Sequence, residues 1–179
     1  MRTVFKTVAV IALVFISGVL VARQRSNPVS EQKLFLEEKP LQNPAALSPG
    51  VLNALLRTKQ ARLGLQFATD VEEKNPAQLF RGAEVHLGGP DEVDLVVIGI
   101  PPMTGADNGW FWVVRPHNHP KVVLFAGGNS LEIMDSRTNG LRDIRSDWSS
   151  PNETRHTVYH FDGKAYKIWK EKWIPIPVP

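Results

Sequence analysis

The chain has 179 residues, a formal net charge of +3 and no cysteine, which suits one folded domain with a real core plus a tail. The missing cysteines exclude disulfides, thiol nucleophiles and zinc–thiolate sites. Arg2 and Lys6 lie in the first 22 positions with no acidic residue beside them, so the remainder is nearly neutral; its Lys and Arg are interspersed with acids, which argues against a nucleic-acid partner.

In residues 1–22, Arg2 and Lys6 precede an apolar run from Val8 to Ala22. That run has the length of a secretory h-region and is short for a membrane span of about 20 residues. Two readings stay open, a signal peptide cleaved after Ala22 or an uncleaved N-terminal anchor. Either predicts a periplasmic or secreted location, or inner-membrane anchoring facing the periplasm, and membrane contact only through this segment. Residues 23–47, rich in Gln, Asn, Glu and Pro, read as a flexible spacer interrupted by the apolar patch Leu34 to Leu36.

A single folded domain is expected over residues 48–173. It opens on a helix, with Ser48 as N-cap and Pro49 at the first helical position. Val51, Leu52, Leu55 and Leu56 form its apolar stripe, Arg57, Lys59, Gln60 and Arg62 complement the dipole, and Gly64 is a natural stop. From Ala83 onward, short β-rich runs alternate with Gly, Pro, Asn and Asp clusters, predicting strands near 83–87, 93–100, 110–115, 121–126, 130–134, 141–147, 155–161 and 164–170. DLVVIGI, WFWVV and KVVLFA are almost continuously apolar and read as central strands covered on both faces. In RHTVYHF, Arg155, Thr157, Tyr159 and Phe161 share one face, and His156, Val158 and His160 the other. The turns are PHNHP, AGGN, TNG and FDGK, the last with Asp162 and Gly163 at its tip. Short loops between neighbours imply an α+β, mainly β fold: an antiparallel meander of about eight strands with one N-terminal amphipathic helix packed on it. The Pro-rich tail 174–179, IPIPVP, should be extended.

The stretch DSRTNGLRD, Asp135 to Asp143, is the most specific motif. Taken as a calcium loop it offers Asp135, Asn139 and Asp143 as oxygen donors around the turn residue Gly140, but it places Arg137 where a ligand is wanted and Ser146 where a bidentate Glu belongs. A distorted echo, HLGGPDEVD, runs from His86 to Asp94. The pattern strand, D-x-x-x-N-G-x-x-D, strand resembles the loop of FG-GAP and VCBS repeats, which implies a calcium-binding hairpin of a β-propeller blade; the likeness covers nine residues twice, and the chain is too short for a whole propeller. Over roughly 83–170, GADNGWFWVVR, TNGLRDI and YHFDGKAY resemble segments of uncharacterised exported bacterial proteins, which implies an envelope location and a β-rich fold.

Other chemistry is sparse. His117 with His119, and His156 with His160, have spacings that put each pair on one side of an extended backbone, but no template links the pairs into a zinc site. Ser130 follows two glycines without a nucleophile-elbow motif, and Asp91 with Glu92 sits beside a turn. GADNGWFW is the candidate recognition loop, with Asp107, Asn108, Trp110 and Trp112 as candidate ligand-binding residues. The expectation is an exported, non-catalytic binding module whose partner is an envelope protein or a cell-wall component. No cofactor is expected unless calcium binds the Asp135 loop. The rivals are a metal-dependent hydrolase using His156, His160 and acidic loop residues, and a structural spacer.

Overall fold

A computed structural model describes residues 31–105 and 108–176. The signal or anchor segment 1–22, the first part of the spacer, Asp107 and the end of the tail lie outside the described residues. The fold is mainly β, as expected, but the strands form two antiparallel sheets and not one meander. The first sheet has the order β2-β3-β4-β5-β6, with β2 Pro44–Ala45, β3 Phe80–Val85, β4 Asp94–Gly99, β5 Gly109–Arg115 and β6 Lys121–Gly128. The second has the order β1-β7-β8-β9-β10, with β1 Leu34–Leu36, β7 Ser130–Thr138, β8 Leu141–Ser149, β9 Glu153–Phe161 and β10 Tyr166–Pro175. All eight expected strands are present; the undercount is β1 and β2.

Those two strands come from the segment expected as a spacer. Phe35 in β1 is fully buried, and burying such a ring stabilises by about 2 kcal/mol. Gln32 ties the segment back on itself, donating to the Leu34 carbonyl at 2.9 Å and accepting from the Gln42 amide at 2.8 Å. From residue 31 the chain therefore belongs to the folded body. Strands of three and two residues are too short to show a period, which is why composition read them as linker.

Alternation along each strand builds the layers. Val96 and Ile98 of β4 and Phe111 and Val113 of β5 meet Leu131, Ile144, Tyr159 and Phe161 of the second sheet in one core between the sheets. Leu95, Val97, Trp112 and Val114 point the other way, into a second core. That second core is roofed by α1, Pro49–Leu56, and α2, Lys59–Leu65, through Val51, Leu55 and Ala61. The expected single helix is thus divided. Thr58 accepts from the Ala61 amide at 3.2 Å and caps α2 as Ser48 caps α1, so the chain restarts and does not run through to Gly64. A third short helix, α3 Asp70–Lys74, starts on a reciprocal capping box of Thr69 and Glu72.

The sheets join at a sharp corner after β6. The Asn129 amide donates to the Asp147 carbonyl at 2.7 Å, and Gly128 lies so close that a Cβ there would sit 2.6 Å from that oxygen. Between β7 and β8, Asn139 and Gly140 both have positive φ, 51° and 87°, the two-residue hairpin geometry that Asn-Gly favours.

Candidate functional site

The residues singled out from sequence do not converge. Trp112 is fully buried under the helices, with ring centroids 5.5 Å from Phe80, 6.1 Å from Trp110 and 5.5 Å from Phe125. Trp110 is half-buried at the rim of that cluster. The Asn108 carbonyl accepts from the Gly105 amide at 2.8 Å, closing the loop on itself. Both faces of the WFWVV run are therefore committed to packing, which leaves no open platform on Trp112.

In the Asp135 loop each donor has a different partner. Asp135 accepts from Lys33 at 2.6 Å and from Arg142 at 2.9 Å; the Lys33 hydrogen bond and charge, with Arg142 beside it, hold this carboxyl below its usual range. The Asn139 amide donates to the Phe161 carbonyl at 2.7 Å. Asp143 is buried, with one oxygen 3.7 Å from His160 Nε2. Arg137 donates to the carbonyls of Leu87, Gly88 and Gly140, so the guanidinium occupies the loop and ties it to its sequence echo at His86 to Asp94.

The histidines are separated too. His156 contacts Asp147 at 2.6 Å, and His160 stacks on Trp169 at 4.4 Å. Four residues along a strand is about 13 Å, too far for one metal ion. Among the described residues no group of three or more His, Cys, Asp or Glu side chains is placed to hold a metal. Ser130, Asp147 and His156 are linked in sequence of contact, with Ser130 Oγ 3.4 Å from Asp147. The carboxylate stands between hydroxyl and imidazole, which is the wrong order for a base to take the serine proton.

The sheet edges are more informative. Two open sheets have four outer strands, β2 and β6 in the first and β1 and β10 in the second. Exposed edges present unpaired N–H and C=O groups, and folds blunt them with shortness, lysine, proline or bulges. β1 and β2 are very short, and β2 carries Pro44. β10 carries Lys167, Lys170 and Lys172, a bulge between Ile168 and Lys170, and Pro175 at its end. β6 has Lys121 at its start and a register shift that leaves Val123 unpaired opposite Val113 and Val114, but Val122 to Ala126 are all apolar and carry no lysine or proline. Both faces of β6 are covered, Val123 and Leu124 by the core between the sheets and Val122 and Phe125 by the helix side. Its hydrogen-bonding edge is not, and no backbone hydrogen bond joins β6 to β10 among the described residues.

No protein-family model, curated protein or solved structure matches this chain.

An open groove of about 610 Å³ runs between the two edge strands, lined by Val122 to Phe125 on one side and Tyr166, Lys167 and Ile168 on the other, with Tyr159 also lining it. At its β5–β6 end it meets a second hollow of about 310 Å³ that shares Val123 and is otherwise lined mainly by nitrogen-bearing side chains: Arg115, His117, His119, Lys121 and Lys164. The hollow is assembled by two turns from different sheets. Lys121 Nζ donates to the Lys164 carbonyl at 2.9 Å, which fixes the β9–β10 hairpin against the β5–β6 turn. Arg115 is held by Asp94 at 3.2 Å and Glu92 at 2.7 Å. Burial pushes the fully buried Asp94 carboxyl above its usual range, and Arg115 opposes that only in part.

The groove thus combines apolar walls, two strand edges that are not bonded to each other and a cationic end. Sequence reasoning missed it because KVVLFA looks the same in the middle of a sheet as at its edge, and because Lys121 and Lys164 meet only through tertiary structure.

Proposed function

We propose that this protein is an exported, non-catalytic binding module of a bacterial envelope, and that it takes up an extended segment of a partner protein by adding it as a strand to β6. The observation that carries the reading is the long apolar edge of β6 facing a groove: β1 and β2 are far shorter, and β10 carries three lysines where Val122 to Ala126 carry none. Strand addition supplies affinity through main-chain hydrogen bonds and selectivity through alternate side chains. Here Val123, Tyr159 and Ile168 offer contacts to such side chains. The envelope setting rests on Arg2 and Lys6 followed by the apolar run to Ala22, and on the lack of cysteine.

The test is a cross-linking experiment in the native envelope with a photoreactive amino acid replacing Val122 in one strain and Lys172 in another. The reading expects a discrete adduct from the β6 position and a much weaker one from β10. Equal labelling from both positions, or none from β6, would contradict it.

A further inference from the structure

Resting on that reading, we infer that the hollow at the end of the groove captures a free carboxylate, so that the added strand is the C-terminal segment of its partner. Three features of the hollow carry this. Its charged lining is wholly basic, while the nearby carboxylates are already engaged. Glu92 and Asp94 are spent on Arg115, and Asp162 accepts the amides of Lys164 and Ala165 at 2.8 Å each. The Lys164 ammonium makes no hydrogen bond or ion pair among the described residues, and neither does His119. A neighbouring depression shares His119 and Lys121 and adds Arg57, so positive charge surrounds the mouth.

The second feature is position. Val123 lines both the groove and the hollow, so a strand running along β6 ends where the cations begin. The third is the apolar part of the lining, Val123 and Phe161, beside which a contact to an anion is stronger than in open water. A strand carrying an internal Asp or Glu would have to continue past the β5–β6 turn and the β9–β10 hairpin, which Lys121 and Lys164 tie together. Capture of a terminal carboxylate is a known mode of peptide recognition, and it suits a basic hollow at the end of a groove.

The test uses the full chain against random hexapeptides displayed at the C-terminus of a carrier protein, each ending in a free carboxylate. Enriched peptides are resynthesised as the acid, as the C-terminal amide and with two residues appended. The inference expects the amide and the extended form to bind about tenfold more weakly, the loss of one charge-assisted contact set. In Lys164→Ala, which removes no bond the fold uses, that difference should shrink to less than about threefold. Equal affinity of acid and amide would overturn carboxylate capture while leaving strand addition standing. Displacement of amide and acid alike by inorganic phosphate would overturn it too, by showing an anion site unrelated to the chain end. Absence of any enrichment over the carrier alone would overturn strand addition itself.

Discussion

β6 and β10 border the same groove, both end a sheet and both carry a register shift, yet their side chains follow opposite rules. β10 leaves Ile168, Trp169 and Trp173 at 61%, 63% and 47% exposure and still guards its edge with lysines and a bulge. β6 hides its side chains on both faces and leaves its backbone open. The difference teaches that exposed aromatic surface and an available edge are separate properties. A large apolar patch attracts partners without choosing among them, whereas an unpaired strand edge accepts only another extended backbone. The aromatics of β10 are also partly spent within the chain: Trp169 stacks on His160, and Arg155 lies between Trp148 and Trp173 at 5.6 and 5.2 Å from their ring centroids.

The comparison breaks most visibly at the support beneath β6. Trp112→Ala opens a cavity under Trp110 and Phe125, and should cost about 3–5 kcal/mol in denaturant unfolding. Trp169→Ala on β10 should stay within about 0.5 kcal/mol, because that ring is largely in water. Binding sharpens the contrast in the next step down. Val122→Lys gives β6 the charge that guards other edges, and affinity for an enriched peptide should fall about tenfold with circular dichroism unchanged. Trp169→Ala should change that affinity less than about twofold.

The smallest effect concerns acid. Asp162 accepts hydrogen bonds from the amides of Ala165 and Lys164, which hold its carboxyl below the ordinary value. A depressed folded-state value means the contribution is complete above the usual carboxylate range and is lost as pH falls through the lowered value. Asp162→Asn should therefore flatten the lowest part of the acid-unfolding curve and leave the curve near neutrality parallel to wild type.

Much of the β region was legible because the signals were local. The period of RHTVYHF put Arg155, Thr157, Tyr159 and Phe161 on one face, and the last three of these are buried while Arg155 is half-buried. Asn139 and Gly140 announced their turn by residue type. The start of α1 was equally plain, but one helix was expected up to Gly64, whereas the Thr58 hydroxyl ends one helix and begins the next. The Thr69 and Glu72 spacing is a capping signature visible in the sequence and overlooked beside stronger hydrophobic patterns. The candidate site was not legible. Whether KVVLFA lies inside a sheet or at its rim depends on where the chain turns after Gly128, and that corner is set by the close approach of Asp147 from another strand. The aromatic run at Trp110 and Trp112 drew attention because it is conspicuous in sequence, and the structure uses it as core.

Backbone amide hydrogen exchange, followed residue by residue with and without an enriched peptide, tests the central claim most directly. The account predicts that groove-facing amides of β6 between Val122 and Phe125 exchange quickly in the free protein and slow markedly on binding, while β10 amides beyond the bulge change little. Slow exchange along both sides of β6 in the free protein, or protection that appears on β10 alone, would contradict it.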